Sequence, residues 1–246
     1  MTEYRWNKTD VAAGYDAAAP LVHPYYAEVQ DAILSVLPFK SDADALLVDA
    51  GGGSGRFLER FLDRFPRAQG VIIDQSEAFL TIARERLRRF GDRAAFVCRR
   101  LQDDWSDVLV RAPQAIVSMS AIHHLEPREK QALYSRCSAL LAPGGIFANG
   151  DEVRDPDDER YRAALTQWAA HMQDLAATGR VSAPMAETLL GWRKRNVERF
   201  HEPRESGDDC HETIDVQLGY LRDAGFEQVR ATWQNEMWAV MVGRKP

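Results

Sequence analysis

Three glycines at alternate positions, Gly51, Gly53 and Gly55, constrain the fold of this chain more than any other feature. They follow an apolar run that ends in Asp49, and an amphipathic helical pattern begins directly after them. Because glycine has no Cβ and tolerates positive φ, this segment predicts a strand, a tight turn and a helix whose backbone lets a ligand approach closely. A dinucleotide fingerprint needs Gly-x-Gly-x-x-Gly, and its third glycine falls here on Arg56, which disfavours a nicotinamide cofactor.

Short apolar runs alternate with amphipathic helical segments through the first 150 residues. We predict further strands at residues 70–74, 94–98, 115–118 and 146–150. This alternation favours an α/β fold with a doubly wound, Rossmann-like sheet that is mostly parallel. Near the C-terminus, residues 226–233 and 236–242 alternate in polarity around a short turn, which predicts an antiparallel strand pair.

The domain organisation predicted from these patterns is one domain over residues 1–246. Residues 1–40 are expected to form a helical segment that covers the bound cofactor. Residues 156–212 are expected to form a helical lid over a substrate site, because their first 45 or so positions are helical in pattern and contain no strand. About two of six aromatic, Met and His side chains are expected to touch substrate, the rest being core: Trp168, His171, Met172, Trp192, Trp233 and Trp238.

Composition narrows the class of partner. The formal net charge of −6 argues against a nucleic-acid partner. Cys98, Cys137 and Cys210 are odd in number and widely separated, which indicates a reduced setting. No apolar run resembles a signal peptide or reaches membrane-spanning length. We therefore expect a cytoplasmic protein without a membrane partner, either a monomer or a homodimer.

An acidic residue, Asp74, closes the second predicted strand. In a doubly wound sheet the ligand lies across the carboxyl ends of the strands, where a carboxylate can accept hydrogen bonds from both hydroxyls of a ribose. The same geometry serves several nucleotide cofactors, and a helix-entry carboxylate facing water is the alternative reading.

Several elements, in order and spacing, resemble the class I S-adenosylmethionine (SAM) dependent methyltransferases of the small-molecule type. They are Asp49-x-Gly51-x-Gly53-x-Gly55, Asp74-Gln75-Ser76, the run Ser118–Leu125 with its His-His-Leu, Leu141–Gly145, Leu221–Phe226, and the N-terminal Ala12–Asp16. The resemblance implies SAM as cofactor, S-adenosylhomocysteine (SAH) as product and a small-molecule methyl acceptor. It covers nearly the whole chain except the region of the lid.

The resemblance also implies roles for individual residues. The methionine part of SAM would lie against Asp49, Gly51, Gly53 and Gly55, the ribose against Asp74, the adenine beside Gln75, the sulfonium near the backbone of Ser118, and Tyr15 would close over the cofactor. Where the family often has an acidic residue after the third strand, this chain has Arg100. The adenine contact is therefore expected from Leu101 and Gln102, or from Asp103 or Asp104 if the loop is displaced.

The histidine pair after the fourth strand is the candidate for proton transfer. Histidine titrates near neutral pH, so we expect His123 to act as base where the acceptor arrives protonated. Adjacent side chains point in different directions, so at most one is expected to face substrate. The alternative is that neither does, with one histidine capping the following helix and the other packing beneath it. No metal is expected, since His201, Cys210, His211 and Glu212 match no zinc spacing.

The functional prediction is methyl transfer from SAM to a small molecule by in-line displacement. Asn/Asp-Pro-Pro-Tyr/Phe, typical of enzymes that methylate nucleic-acid bases, does not follow the fourth strand. A SAM-binding protein that uses the sulfonium without methyl transfer and a non-catalytic binding homologue remain the alternatives. A NAD-dependent oxidoreductase is disfavoured by the glycine spacing. The sequence does not indicate whether O, N, C or S is methylated.

Overall fold

The sheet of the computed structural model, which describes residues 5–246, has seven strands. In chain order they are β1 (Leu46–Ala50), β2 (Gln69–Asp74), β3 (Ala94–Cys98), β4 (Ala115–Met119), β5 (Ile146–Glu152), β6 (Glu227–Asn235) and β7 (Trp238–Arg244). Their order across the sheet is β3-β2-β1-β4-β5-β7-β6. Strands β1 to β5 pair in parallel, and β7 runs antiparallel to both β5 and β6. The predicted sheet with an antiparallel C-terminal pair is confirmed.

Within the described residues 5–246, eight α-helices cover the two faces of the sheet. They are α1 (Thr9–Val22), α2 (Tyr26–Val36), α3 (Arg56–Arg64), α4 (Glu77–Leu87), α5 (Pro127–Leu140), α6 (Asp158–Ala177), α7 (Ala183–Arg193) and α8 (Ile214–Asp223). A short helical turn, Ile122–His124, follows β4, and a π-helical turn, Lys194–Glu198, extends α7. None of the helices within residues 5–246 combines the length and apolar character needed to cross a bilayer.

The core lies on both faces of the central strands. Every residue of β1 and β5 is buried, as expected for strands that have helices on both sides. One apolar cluster joins α1 to α4 with α6 and α7 on one face, and another joins α5 and α8 on the opposite face. The helices α6 and α7, which fall in the predicted lid, thus share their apolar core with the N-terminal helices.

The carboxyl ends of the parallel strands all meet at one edge of the sheet. Two strands are longer there than the sequence pattern predicted, since β4 continues to Met119 and β5 to Glu152. The extension of β5 brings two acidic residues, Asp151 and Glu152, to this edge. The same edge carries the glycine turn (Gly51–Gly55), so it is where a site is expected.

Candidate functional site

The glycine turn connects β1 to α3 in a backbone conformation that only glycine adopts freely. Gly51 has φ +75°, and a Cβ built there would lie 2.4 Å from the Cβ of Ala121. Gly53 also has positive φ, and its N–H donates to Asp74 Oδ2 over 2.9 Å. Gly55 differs from the expectation, since it packs against Leu87 and not against a cavity. The turn therefore presents bare backbone to the edge of the sheet.

A cavity of about 320 Å³, called here the glycine-turn cavity, opens above this turn. Eight of the residues predicted to bind cofactor line it: Tyr15, Asp49, Gly51, Gly53, Asp74, Gln75, Leu101 and Gln102. The structure thus brings these eight residues together around one cavity, and their contacts with a cofactor stay a prediction.

Ser118 was predicted to approach the sulfonium and does not line this cavity. Its side chain is fully buried, and its hydroxyl donates to the carbonyl of Ala50 over 2.7 Å within the sheet. Because β4 continues to Met119, the residues that reach the cavity are Met119, Ser120 and Ala121. Ser120, directly after β4, has a positive φ of 51°, which is unusual for a residue other than glycine.

Two carboxylates lie at the floor of the glycine-turn cavity. Asp74 accepts from the N–H groups of Gly53 and Ser76 over 2.9 and 2.8 Å, while burial raises its pKa to about 6. Asp49 is 1% exposed, and one of its oxygens, Oδ2, has no hydrogen-bond partner among residues 5–246. Burial, with the charge of Asp74, raises the pKa of Asp49 to about 7. Such groups favour a ligand that brings hydrogen-bond donors or positive charge.

An aromatic cover closes one side of the cavity. The rings of Trp6 and Tyr15 meet edge to face with centroids 4.9 Å apart, and Phe79 lies 5.8 Å from Tyr15. The Ser76 hydroxyl donates to the carbonyl of Trp6 over 2.6 Å, which ties this segment to the start of α4. Trp6 was not predicted, because nothing in its local sequence links it to a strand end.

Asp16 joins α1 to the glycine turn. Its carboxylate accepts from the Ser54 hydroxyl over 2.6 Å, from Arg56 Nε over 2.9 Å and from Arg86 over 2.8 and 3.0 Å. Burial acts to raise the pKa of Asp16, but the hydrogen bonds from Arg86 and Ser54 outweigh it and lower the pKa. This network holds the helix that carries Tyr15 over the cavity.

At the far end of the cavity, the carboxylate alternative for an adenine contact is not supported. Asp103 accepts from the N–H of Arg100 over 3.0 Å, Asp104 accepts from the N–H of Ser106 over 2.9 Å, and neither lines the cavity. Leu101 and Gln102 do line it, although their carbonyls accept hydrogen bonds from a neighbouring arginine. The expected contacts to Leu101 and Gln102 remain predictions.

A second, smaller cavity of about 60 Å³ lies beneath α6 and α7 and is called here the histidine cavity. Trp6, Tyr15, Ser120 and His124 line it together with the glycine-turn cavity, so the two spaces are neighbours. Its apolar wall consists of Val22, Trp168, Met172, Met185, Leu189 and Trp192, and its polar wall includes His23, His123, Glu152, Arg195, Asp209 and His211.

Three of the six predicted substrate-facing side chains, Trp168, Met172 and Trp192, line the histidine cavity. A third cavity, of about 840 Å³, lies on the other side of α6 against the β6–β7 hairpin, where His171 and Trp238 contribute. It holds none of the residues predicted to bind cofactor or act in catalysis. The histidine cavity is therefore the better placed of the two for a molecule that reacts with the contents of the glycine-turn cavity.

His123 is buried between carboxylates at the end of β5. Its Nδ1 lies 2.7 Å from Asp151 Oδ1, to which it is hydrogen-bonded, and 2.8 Å from Glu152 Oε2. Burial acts to lower the pKa of His123, but Glu152 and Asp151 outweigh it and raise the pKa well above the usual value. A protonated imidazole has no lone pair for a proton, so this arrangement does not favour the general-base role expected for His123.

Both histidines of the pair, and not one, face the histidine cavity. Neither caps the following helix, because α5 begins with a capping box made by Glu126 and Glu129. Sequence reasoning missed the partners of His123. Asp151 and Glu152 could have been found by extending the fifth strand two residues, whereas Asp209, far along the chain, carried no such signal.

Comparison with known proteins finds similarity to methyltransferases and to other proteins named for SAM. A family model described as a methyltransferase domain matches residues 48–147. Trans-aconitate 2-methyltransferase of Methylobacterium radiotolerans is 33% identical over 168 residues, which are 62% of this chain and 61% of that protein. Carboxy-S-adenosyl-L-methionine synthase of Nautilia profundicola is 25% identical over 96% of this chain and 92% of its own length. The chain thus spans about three fifths of the first of these relatives.

Solved structures share the fold. Human N-acetylserotonin methyltransferase, solved in complex with SAM, has a TM-score of 0.64 at 13% identity, covering 99% of this chain and 59% of that one. An O-methyltransferase family protein from Burkholderia thailandensis has a TM-score of 0.63 at 19% identity, covering 95% and 59%. At these identities the likeness concerns the fold alone.

Proposed function

We propose that this chain, which belongs to the class I SAM-dependent methyltransferases, transfers the methyl group of SAM to a small-molecule acceptor. The observation that carries the proposal is the pair of adjoining cavities. SAM would occupy the glycine-turn cavity and the acceptor the histidine cavity, with the methyl group passing where Tyr15, Ser120 and His124 border both spaces.

The residues of the glycine-turn cavity fit the parts of SAM. The unpartnered oxygen of Asp49 and the carboxylate of Asp74 need donors, and an ammonium group and ribose hydroxyls supply them. A Cβ at Gly51 would collide with that of Ala121, so only glycine leaves the backbone of the turn bare beside the cavity. Gln75, Leu101 and Gln102 would border the adenine, as the sequence resemblance implies.

When bound, SAM supplies a methyl group that is already activated by a positively charged sulfur, and SAH is the product. The chain then contributes mainly by aligning the acceptor with the methyl group and by excluding water from the site. Holding two reactants in line lowers the barrier by roughly 7–11 kcal/mol where the geometry is near that of attack. The cover of Trp6, Tyr15 and Phe79, held down by Asp16, would exclude water from the methyl group. His123, the catalytic candidate of the sequence, would contact the acceptor from the wall of the histidine cavity, without acting as its base while it carries a proton.

Calorimetric titration with SAM and SAH tests the cofactor part of this proposal. Asp74→Ala is expected to weaken both ligands by about tenfold or more, since a hydrogen bond to a charged group contributes about 1.5–3 kcal/mol. Asp104→Ala is the matched control, because Asp104 is an exposed carboxylate near the same end of the sheet that does not line the cavity. Equal affinity of the two variants, or no binding to the wild-type protein, would contradict the assignment.

A second candidate function comes from the relative that matches nearly the whole chain. It is named carboxy-S-adenosyl-L-methionine synthase, and a protein of that type would alter SAM itself without methylating a separate acceptor. Mass spectrometry separates the two candidates. Methyl transfer yields SAH and an acceptor heavier by one methyl group, whereas the alternative yields a SAM derivative and an unchanged acceptor pool.

The proposed setting is the cytoplasm, which accords with three free cysteines at Cys98, Cys137 and Cys210. We propose a small molecule, and no nucleic acid, as the partner. The position of the histidine cavity beneath α6 and α7 supports this choice, because a polymer would need an open groove. The oligomeric state, monomer or homodimer, stays a prediction for size measurement in solution.

A further inference from the structure

Two histidines and one aspartate converge at the border of the two cavities. His123 and His124 lie on the helical turn after β4, and Asp209 lies on the loop between α7 and α8. The donor atoms that the three can offer lie within 4.8 Å of one another. His123 and Asp209 are 5% and 3% exposed. A set of two imidazoles and one carboxylate is a set that binds divalent first-row metals in proteins.

The distances within this set suit a shared ion. Asp209 Oδ1 lies 3.3 Å from His124 Nδ1 and 3.7 Å from His123 Nε2. The longer separation exceeds the length of a hydrogen bond. Ligand atoms about 2.0–2.2 Å from a tetrahedral zinc ion lie about 3.3–3.6 Å from each other. One carboxylate oxygen thus stands close to the correct spacing from both imidazole nitrogens.

The outer partners of the set resemble those that orient metal ligands. His123 uses Nδ1 toward Asp151 and so directs Nε2 toward Asp209, as in a carboxylate–histidine–metal arrangement. A bound metal ion would take the place of the proton that the neighbouring carboxylates hold on this imidazole. The second oxygen of Asp209 accepts from Asn196 Nδ2 over 2.6 Å. Each of these two ligands is therefore held in one orientation by a buried neighbour.

The loop that carries Asp209 is fixed to the helical turn that carries the histidines. The N–H of Cys210 donates to the carbonyl of His123 over 2.7 Å, and the N–H of Gly207 to that of His124 over 2.8 Å. Buried Lys130 bonds both the carbonyl of Cys210 and the carboxylate of Glu212. The set is therefore part of a rigid frame, which a metal site requires.

A second grouping, His123 with Asp151 and Glu152, is a weaker candidate. There the imidazole would have to use Nδ1, which is hydrogen-bonded to Asp151 over 2.7 Å. In the set with Asp209, His124 Nδ1 has a longer contact of 3.2 Å with the carbonyl of Asp208, which a metal ion would have to replace. His123 and Glu152 of this grouping line the histidine cavity, but Asp151 does not, so one of its three groups lies away from the space for a further ligand. The set with Asp209 borders the histidine cavity and so can keep a coordination position open.

We propose that His123, His124 and Asp209 bind one divalent first-row transition metal, with Zn²⁺ as the best match. The sequence expectation was that the chain binds no metal. With three protein ligands, the remaining position faces the histidine cavity, which suits an acceptor that offers an ionised hydroxyl or a carboxylate oxygen. This part of the inference, the class of acceptor, rests on the proposed methyl transfer, while the metal site itself does not.

Metal titration of the full chain tests the site. Protein stripped with a chelator and dialysed is titrated with ZnSO4 by calorimetry, and the bound metal is counted by plasma mass spectrometry. We expect one saturable equivalent with micromolar affinity or tighter. Asp209→Asn and His124→Ala are expected to weaken Zn²⁺ by at least tenfold. His201→Ala is the control, since it removes an exposed histidine outside the set and is expected to bind Zn²⁺ like the wild type.

Asp209→Asn keeps the size of the side chain, so it carries the test if His124→Ala fails to fold. Absence of a saturable equivalent, or equal affinity of Asp209→Asn and His201→Ala, overturns the metal site. SAH titration of the same samples separates this result from the proposed function. SAH binding without Zn²⁺ binding would overturn the metal site alone, and Zn²⁺ binding without SAH binding would overturn the cofactor assignment alone.

Discussion

Asp49 and Asp74 are the residues at which burial has the clearest chemical consequence outside the histidine set. Both were predictable as site residues, since each closes an apolar strand in the sequence. Their raised pKa values were not predictable, because these depend on how much water the folded chain excludes and on the approach of one strand end to another. An ionised carboxylate buried without enough hydrogen-bond donors destabilises the ligand-free protein. A ligand that supplies donors removes this cost, so its binding is favoured.

Asp49→Asn is expected to flatten the dependence of stability on pH. The folded pKa of Asp49, about 7, lies above its unfolded value of 3.8, so the folded state binds the proton more tightly. Stability therefore falls as pH rises from about 4 to about 7, by an amount on the order of 2–4 kcal/mol for such a shift. Melting temperatures of the ligand-free protein between pH 5 and pH 8 measure this, and we expect a smaller decline for Asp49→Asn than for the wild type.

The control for this measurement is Asp42→Asn, which changes an exposed aspartate in the loop before β1. Its melting temperatures are expected to follow those of the wild type across the pH range. If the curve of Asp49→Asn were also parallel to that of the wild type, the buried carboxylate would not be the source of the dependence.

Gly51→Ala is expected to destabilise the chain and abolish SAH binding. The added Cβ would lie 2.4 Å from that of Ala121, in a backbone with φ +75°. Gly91→Ala separates strain from collision, since Gly91 has φ +55° with no atom within 4 Å of its built Cβ. We expect Gly91→Ala to cost about 1–3 kcal/mol, because L side chains rarely adopt its backbone conformation (φ +55°, ψ −133°), and to bind SAH normally. Urea unfolding and calorimetry measure both; a Gly51→Ala protein that binds SAH would contradict the close approach.

At the scale of elements, helix α1 acts as a cover because one side chain ties it to the glycine turn. Asp16 accepts hydrogen bonds from residues on the turn, on α3 and on α4. The N-terminal motif of the sequence predicts that Tyr15 approaches the cofactor, and the adjacent aspartate holds the helix that carries Tyr15 against the glycine-turn cavity. A cover of this kind controls how quickly a ligand leaves.

Asp16→Asn is expected to speed the release of SAH and to cost about 1–3 kcal/mol of stability, because Arg86 loses a charged partner in a half-buried place. Asp31→Asn is the matched control, since Asp31 forms an exposed ion pair with Arg60, and such pairs contribute about 0–1 kcal/mol. Stopped-flow dissociation and urea unfolding measure the two effects. Identical SAH release from both variants would show that Asp16 does not hold the cover.

The ends of strands are where the sequence predicts the structure least well. Strand β4 extends one residue beyond the predicted end, so Ser118 points into the sheet while Ser120 and Ala121 reach the cavity. Strand β5 extends two residues, which placed Asp151 and Glu152 beside His123. Apolar runs locate strands well, because burial on both faces selects their residues. The polar residues at their ends obey no such pattern, and these residues make the site.

At the scale of the whole molecule, the predicted lid is part of the main core. Trp168 and Met172 of α6 and Leu189 of α7 pack in the same apolar cluster as α1 and the central strands. The indole N–H of Trp168 also donates to the carbonyl of Val22 over 2.7 Å. The sequence predicted helices in this region from their pattern, but not the depth of their burial, which depends on the partners that the fold brings to them.

Leu189→Ala is therefore expected to lower the stability of the entire chain, and not of α7 alone. Leu189 is 6% exposed, and truncating such a leucine typically costs about 2–5 kcal/mol. Leu190→Ala, next to it on the same helix and 46% exposed, is expected to cost less than about 1 kcal/mol. Urea unfolding followed by both tryptophan fluorescence and circular dichroism should give one shared midpoint for each variant, shifted for Leu189→Ala. A separate early transition in Leu189→Ala, with the main midpoint unchanged, would instead show that residues 156–212 unfold as an independent lid.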